Sequence, residues 1–399
     1  MANRRDSFHD CVANIGTPIH MKDSIQSGIA QDATGSGHIR AACRRVEAMG
    51  ASLGNPVQPP TVFELEEALG EQVQTCELLG KNWRNRVYRV QLATGNAAVA
   101  KQVVMGTDAM LQCQYDQLGA LATLQIPGLR VPKALALLRE KRVCVMEFAR
   151  GKTIQALVRD RASGDDLISA SELAGKILAQ MQIARTEQIC PMPVEALARD
   201  LAGARWHLSS REQTILESAL EGLADAKASI GHLYYDYAPD NLLFENDLLS
   251  LVDPPDVSRH GVLLWDFSCF RGSMRRHLWR FSMRRPFDRR RAMITEAIAL
   301  FQRSYLTSFD KPYPDPALFT AATLLFELQR TAVLLTMQKG KVNLARQRLP
   351  IARDRSLGNA LANRIMLPLQ EMEKRWLLLE KRWLFLQLAR NCPDNRRRN

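Results

Sequence analysis

The alternation of apolar and polar positions divides this chain into two parts. From Thr61 to residue 150 it predicts a short helix and then strands around one further helix. The stretch "CELLGKNWRNRVYRVQLATGNAAVAKQVVM" alternates like two strands joined at "ATGN", and "RVPKALALLREKRVCVMEFA" like two more joined at a charged turn. Between them, "DAMLQCQYDQLGALATL" has helical spacing. Residues 61–150 are therefore predicted to form a small, mainly β lobe.

From residue 151 onward the apolar residues recur at helical spacing, as in "DLISASELAGKILAQMQIAR" and "SREQTILESALEGLADAKASI". Two short apolar runs, "NLLF" and "LLSLV", interrupt this pattern and suit a hairpin that turns at "END". A further apolar run, "GVLLWDFS", follows, and beyond Arg271 the pattern is again mostly helical. Residues 151–390 are predicted to form a larger helical lobe, so the predicted fold class is α+β with two lobes.

Neither end of the chain shows a sustained period. Residues 1–60 are rich in Gly, Ser, Ala and Asn and are predicted to be a poorly ordered extension, and residues 391–399 a disordered basic tail. The first residues contain no apolar segment of the signal-peptide type. No uncharged apolar run approaches the roughly 18 residues of a spanning helix. A cytoplasmic protein is expected, and peripheral contact with the inner face of a membrane is left open.

Composition and charge indicate which classes of partner the protein is expected to bind. The chain has 399 residues, 46% of them apolar, which is enough for a sizeable core. Its formal net charge of +12 favours an anionic partner such as a nucleotide, a nucleic acid, an acidic lipid or a phosphorylated glycan. The eight cysteines include no CxxC pair and no Cys/His cluster with zinc-ligand spacing. Reduced thiols are the expected state of these cysteines.

The stretch "LYYDYAPDNLLFENDLLSLVDPPD" carries the candidate chemistry. Asp236 is followed five residues later by Asn241, and Asp253 ends the apolar run "LLSLV". Phosphoryl transfer needs a carboxylate that orients the acceptor hydroxyl, oxygen ligands for magnesium and a cation on the nucleotide phosphates. Lys101, alone in the apolar strand "AAVAKQV", is a candidate for that cation, because a buried lysine needs an anionic partner.

Five motifs in order resemble the aminoglycoside phosphotransferase and choline kinase family, which has a protein-kinase-like fold. They are "GLRVPKALAL", "VMEFARGKTI", "DYAPDN", "LVDPPD" and "LLWDFSCF", and the resemblance covers roughly residues 65 to 330. Each motif is weak alone, and their order gives the resemblance its specificity. The resemblance implies a kinase that uses ATP and Mg²⁺.

The resemblance also implies roles for individual residues. Asp236 matches the catalytic base, and Asn241 and Asp253 match the metal ligands. Asp266 matches a carboxylate that braces the catalytic loop.

On the nucleotide side, Lys101 matches the lysine on the α- and β-phosphates. Glu147 and Phe148 match the hinge whose backbone groups bond adenine, and Met146 would flank that pocket.

Three departures from the family pattern bear on activity. Tyr234 stands where the family usually has a histidine that scaffolds the loop, and its hydroxyl is a candidate substitute. The phosphate-covering loop "LGKNWRNRVYRV" has one glycine, so Asn82 and Asn85 are the candidate donors to phosphate. The helix after Lys101 lacks the usual glutamate, and Gln114 or Asp116 falls near that place.

A basic segment lies outside these motifs. Residues 271–291 contain nine arginines, one acid and interleaved aromatic residues. One interpretation is the docking of a phosphorylated or membrane-associated acceptor, because arginine makes forked contacts with phosphate. The other is a solvated face that offsets acidic neighbours. Nucleic-acid binding is not expected, since the sequence shows no helix-turn-helix, RRM or zinc signature.

The sequence thus predicts an ATP- and Mg²⁺-dependent phosphotransferase. Its acceptor is expected to be a hydroxyl of a non-protein molecule, with a sugar or envelope glycan preferred because of the arginine segment. The alternative is a catalytically weak pseudokinase that binds an anionic membrane surface or nucleic acid, an interpretation favoured by Tyr234 and by the missing helix glutamate.

Overall fold

The computed structural model describes residues 58–81, 85–104, 107–160, 163–204, 206–255, 259–284, 288–309, 315–351 and 357–391. Within these ranges, side chains are not described for residues 283–284 and 339–371. Almost all of the predicted N-terminal extension and of the predicted basic tail lie outside the described residues, and so does Asn82.

The first lobe contains a five-stranded antiparallel sheet with a helix inserted after its third strand. The strand order is β1-β2-β3-β6-β5. Helix α1 opens the lobe with a capping box, in which Thr61 accepts from the Glu64 N–H and the Glu64 carboxylate accepts from the Thr61 N–H. The elements are α1 (Val62–Leu69), β1 (Val73–Lys81), β2 (Asn85–Leu92), β3 (Ala97–Val103), α2 (Asp108–Ala122), β4 (Leu129–Arg130), β5 (Ala134–Leu138) and β6 (Val143–Glu147).

The sequence prediction was wrong on one strand in this lobe. The segment before "ATGN", predicted as a single strand, forms two antiparallel strands, β1 and β2, with Lys81 opposite Arg86. Periodicity along "CELLGKNWRNRVYRVQL" does not mark a boundary between the two strands, so the pattern alone does not separate them. The predicted hairpin at "ATGN" joins β2 to β3 and is confirmed.

The second lobe is mainly helical, which confirms the predicted two-lobed α+β fold. Its elements are β7 (Lys152–Thr153), α3 (Ile154–Arg159), α4 (Gly164–Arg185), β8 (Thr186–Pro191), α5 (Val194–Ala202), α6 (Ser210–Glu221), β9 (Lys227–His232), β10 (Leu242–Glu245), β11 (Leu248–Leu251), β12 (His260–Val262), α7 (Leu264–Arg284), α8 (Arg290–Ser308), α9 (Pro316–Ile351) and α10 (Leu357–Asn391).

Two segments of this lobe differ from the sequence prediction. The helical run "SREQTILESALEGLADAKASI" ends at Glu221, and its last residues belong to strand β9. The run "GVLLWDFS" is divided between β12 and the first turn of α7, which contains Asp266. In both cases a short apolar run fits either a strand or a buried helix, so periodicity alone does not separate them.

Short strands connect the lobes. A four-stranded sheet in the order β4-β11-β10-β7 joins the first lobe to the predicted "NLLF"/"LLSLV" hairpin, which is confirmed as β10 and β11. Gly151, directly before strand β7 of this sheet, has a φ of +107°, and a Cβ on it would lie 2.6 Å from the Phe244 carbonyl oxygen. Only glycine fits this close approach without strain.

Helix α9 runs through the core of the second lobe. Its segment Pro316–Gln338 is long and apolar enough, by composition, to cross a membrane, yet 83% of its most apolar window is buried inside the protein. Such burial is typical of a core helix. The α4–α8 contact is equally close, because a Cβ on Gly175 would lie 2.3 Å from the Phe301 carbonyl oxygen.

Candidate active site

Asp266 holds the backbone of the loop that follows β9, residues 233–241. The Asp266 carboxylate accepts hydrogen bonds from the backbone N–H of Tyr234 at 2.8 Å and of Tyr235 at 2.6 Å. Burial raises the pKa of Asp266 to about 7, although these two hydrogen bonds act in the opposite direction. Tyr235 adopts a left-handed φ of +71°, which turns the chain towards Asp236. Asp266 therefore has the bracing contacts that the sequence resemblance implied.

Tyr234 ties this loop to the Asp253 segment. Its side chain is buried, and its hydroxyl donates to the carbonyl oxygens of Val252 at 2.6 Å and Asp253 at 3.1 Å. Burial raises the Tyr234 pKa well above its ordinary value, so the hydroxyl stays a donor. Asp253 itself has a left-handed φ of +60°, a conformation that a non-glycine residue needs support to keep. Tyr234 thus supplies a scaffold without an imidazole.

We expect Tyr234→Phe to destabilise the fold by about 1–3 kcal/mol, because the Val252 and Asp253 carbonyls lose their hydroxyl donor. It should also weaken Mg²⁺-dependent nucleotide binding, because the Asp253 backbone loses its anchor. Tyr237→Phe is the matched control, since the buried Tyr237 hydroxyl donates at 2.9 Å to the Ala174 carbonyl, away from Asp253. Urea unfolding and nucleotide titration of both variants distinguish the two effects. Equal nucleotide affinity in both would contradict the role given to Tyr234.

Asp236, Asn241 and Asp253 lie together at the mouth of this loop. The Asn241 side-chain amide donates to the Asp236 carbonyl at 2.9 Å and lies 3.3 Å from Asp236 Oδ2. The backbone carbonyl of Asn241 in turn accepts from the Val252 N–H at 3.0 Å, which brings Asp253 alongside. Because the Asn241 amide nitrogen is engaged with Asp236, its oxygen is directed away from Asp236.

Lys101 reaches this group from the other lobe. It lies on β3 with a buried side chain, and its amine forms an ion pair with Asp253 Oδ1. The partner anticipated for a lysine in an apolar strand is therefore the carboxylate of a predicted metal ligand. The side chain of Asp253 is 44% exposed, so the pair faces the cleft between β3 and the loop.

The two candidates for the missing glutamate, on the helix that follows Lys101, lie in different surroundings. Gln114 is buried on the inner face of α2, while Asp116 is exposed and accepts from Gln112 at 2.7 Å. Asp116 therefore does not replace the missing glutamate.

Asn85, predicted to contact phosphate, is buried at the first position of β2.

The predicted hinge lies at the end of β6, where Met146 and Glu147 are its last two residues and Phe148 follows. Met146 is buried and Glu147 is partly exposed. The Glu147 N–H donates to the Lys133 carbonyl at 2.9 Å, and the Phe148 N–H donates to the Ala97 carbonyl at 3.2 Å. Both N–H groups are therefore engaged within the protein.

Arg330 of α9 also belongs to this site, and the sequence prediction missed it. Its Nη2 donates to Asp236 Oδ1 at 3.0 Å. The signal that identified Lys101, a lone cation in an apolar run, is also present around Arg330 in "FTAATLLFELQRTAVLLTM".

Among the described residues, no group of three or more His, Cys, Asp or Glu side chains is arranged to hold a metal ion by itself.

The sequence of residues 75–292 matches the phosphotransferase enzyme family. The chain belongs to this family. The matched residues run from β1 into α8 and include Lys101, Asp236, Asn241 and Asp253, whereas Arg330 lies beyond them. The match confirms the predicted family and the predicted class of enzyme, a phosphotransferase of the kinase type.

Solved structures resemble the chain at low identity. A candidate fructosamine-3-kinase from Thermobifida fusca is 18% identical, covering 80% of this chain and 98% of that one, with a TM-score of 0.47. Macrolide 2'-phosphotransferase MphH from Brachybacterium faecium is 14% identical over 75% and 94%, with a TM-score of 0.46. A choline/ethanolamine kinase family protein from Mesorhizobium loti is 14% identical over 87% and 99%, with a TM-score of 0.42. No curated protein matches the chain. The family assignment rests on the sequence match.

The first arginines of the segment in this phosphotransferase are internal, so neither a docking surface nor a solvated face, the two interpretations of the sequence, describes them. Arg271, Arg275 and Arg276 of α7 face inward and pair with two buried glutamates, Glu327 of α9 and Glu380 of α10. A membrane or an acceptor cannot use arginines that are buried against carboxylates. Among the other described arginines of the segment, Arg290 is buried beside Asp288, Arg280 is 39% exposed beside Glu373, and Arg289 and Arg291 are exposed.

His277 of α7 makes stability depend on pH. Burial, with Arg280, Arg276 and Arg159 nearby, lowers its pKa from 6.5 to about 4. Between these values the unfolded chain binds a proton that the folded chain does not, so stability falls as the pH falls. We expect His277→Gln to lose less stability than the wild type between pH 7 and pH 4.5. Urea midpoints at several pH values test this, and parallel slopes for the two proteins would contradict it.

Proposed function

We propose that the protein transfers the γ-phosphoryl group of ATP, with Mg²⁺, to a hydroxyl of a non-protein molecule. The observation that carries this proposal is the meeting of Lys101 from one lobe with Asp236, Asn241 and Asp253 from the other. These are the residue types that hold phosphates, metal and acceptor in phosphoryl transfer.

In the proposed step, the acceptor oxygen attacks the γ-phosphorus while the bond from that phosphorus to the β–γ bridging oxygen breaks. ADP leaves with the bond electrons, and the hydroxyl proton passes to the Asp236 carboxylate. The Asp236 side chain suits this role because it is 52% exposed and hence accessible to an acceptor. Lys101 would hold the phosphates through its amine in place of its present contact with Asp253.

The donor set at the mouth of the loop fits Mg²⁺. Asn241 offers an amide oxygen that its nitrogen's hydrogen bonds direct away from Asp236, and Asp253 offers a carboxylate. Magnesium commonly binds through one or two protein oxygens together with substrate phosphates and water. When bound, it supplies neutralisation of the charge on the phosphate oxygens.

For the acceptor we propose a sugar or glycan hydroxyl. Arg275 is buried and Arg271 and Arg276 are mostly covered, all three against glutamates, so these arginines give no reason to prefer an envelope-linked glycan, and the proposal extends to soluble sugars.

Incubating the pure protein with γ-labelled ATP, Mg²⁺ and single candidate acceptors tests the proposal. We expect label to move to at least one hydroxyl compound and not to a generic protein substrate. Nucleotide binding without transfer to any acceptor would support the pseudokinase alternative, and transfer to protein only would overturn the proposed acceptor class.

A further inference from the structure

Arg330 is a buried cation whose carboxylate partner is Asp236. It is 8% exposed and lies on α9, a helix that buries many apolar side chains in the core of the second lobe. The pair joins residues 94 positions apart, with Nη2 of Arg330 at 3.0 Å from Oδ1 of Asp236. A buried guanidinium without a counter-charge is expensive, so this contact is strongly favoured.

Other pairings near Arg330 make this contact specific. Glu327 lies one turn earlier on α9, but its carboxylate pairs with Arg271 and Arg275. Nη1 of Arg330 donates to the Cys269 sulfur on α7, which fixes the plane of the guanidinium. Arg330 therefore approaches the loop from the core side, while Asp236 remains half exposed on the cleft side.

The two oxygens of Asp236 have different surroundings. Oδ1 accepts from Arg330 at 3.0 Å, and Oδ2 lies 3.3 Å from the Asn241 amide nitrogen. Arg330 thus holds one oxygen in a charge-assisted contact, and the longer contact leaves the second oxygen available for an incoming hydroxyl. Together the two contacts restrain the orientation of the carboxylate.

We propose that Arg330 is a positioning residue that orients the Asp236 carboxylate towards the acceptor hydroxyl. The inference rests on the proposed function, and it assigns a role to a residue outside the matched family region of residues 75–292. The step that Arg330 supports is the alignment of the acceptor oxygen with the γ-phosphorus. A small misalignment of reacting groups is enough to slow such a step markedly.

The test compares Arg330→Met, Arg330→Lys and the wild type by transfer kinetics and by crystallography. We expect Arg330→Met to lower kcat on the order of 10²-fold while the KM for nucleotide stays the same. Lysine keeps the positive charge but lacks the planar, forked arrangement of N–H groups. Arg330→Lys should therefore recover part of kcat. In crystals of Arg330→Met, the Asp236 carboxylate should rotate or become disordered.

Arg276→Met is the control for the loss of a buried arginine. Arg276 donates to Glu380 at 3.3 Å and is not among the partners of Asp236. This variant should lose stability with kcat unchanged. Wild-type kcat in Arg330→Met, equal loss in the Arg276 variant or an unmoved Asp236 would overturn the inference. If the wild type transfers no phosphate, the proposed function fails, and the crystal structures still decide whether Arg330 positions Asp236.

Discussion

Replacing Asp236 with Asn is expected to reduce phosphoryl transfer by ~10²–10⁴-fold, the usual contribution of a general base. The amide keeps the shape of the side chain but cannot accept the hydroxyl proton. Nucleotide affinity should be unchanged, because Lys101, Asn241 and Asp253 retain their positions. Single-turnover transfer and equilibrium nucleotide binding measure the two quantities separately.

Asp247→Asn is the matched control for this substitution. Asp247 is an exposed aspartate in the β10–β11 turn, so the same chemical change there should leave transfer unaffected. If Asp236→Asn keeps more than about a tenth of wild-type activity, a base with the contribution usual for this role does not lie at Asp236.

Replacing Glu327 with Ala is expected to destabilise the protein by about 3–5 kcal/mol, the loss typical of breaking a buried ion pair from one side. Glu327 is 1% exposed and pairs with Arg275, and Arg271 Nη1 lies 3.5 Å from it. Its removal leaves Arg271 without this carboxylate and Arg275 with Glu380 alone, at 3.3 Å. Denaturant unfolding measures the loss.

Glu172→Ala provides the surface comparison. Glu172 pairs with Lys176 at 2.6 Å on an exposed face of α4, and such pairs contribute about 0–1 kcal/mol. A loss at Glu327 no larger than that at Glu172 would mean that the interior between α7, α9 and α10 does not depend on its charge network.

Local patterns were sufficient for much of the fold, and together with the order of the motifs they selected polar residues that the structure brings close to one another. Lys101 was predicted because a single cation in an apolar strand needs an anion, and it meets Asp253. Asp236 and Asn241 were predicted from spacing within one loop. Tyr234 was predicted to replace an imidazole scaffold, and its two hydroxyl contacts support that interpretation.

The residues that escaped prediction depend on distant partners. Arg275 meets Glu327, 52 residues away, and Glu380, 105 residues away, so charge counting along one segment could not show that it is buried. Arg330 could have been suspected by the argument used for Lys101, but its partner lies 94 residues earlier. Strand β1 was not separated from β2 because the residue pattern does not mark the boundary between them.

Calorimetric titration with ATP, in the presence and absence of Mg²⁺, tests the proposed phosphotransfer site most directly. We predict binding that requires Mg²⁺ in the wild type and is weakened by Asp253→Asn and by Lys101→Met. The absence of ATP binding, or an affinity that is the same with and without Mg²⁺ and in both variants, would contradict a phosphotransfer site between these residues.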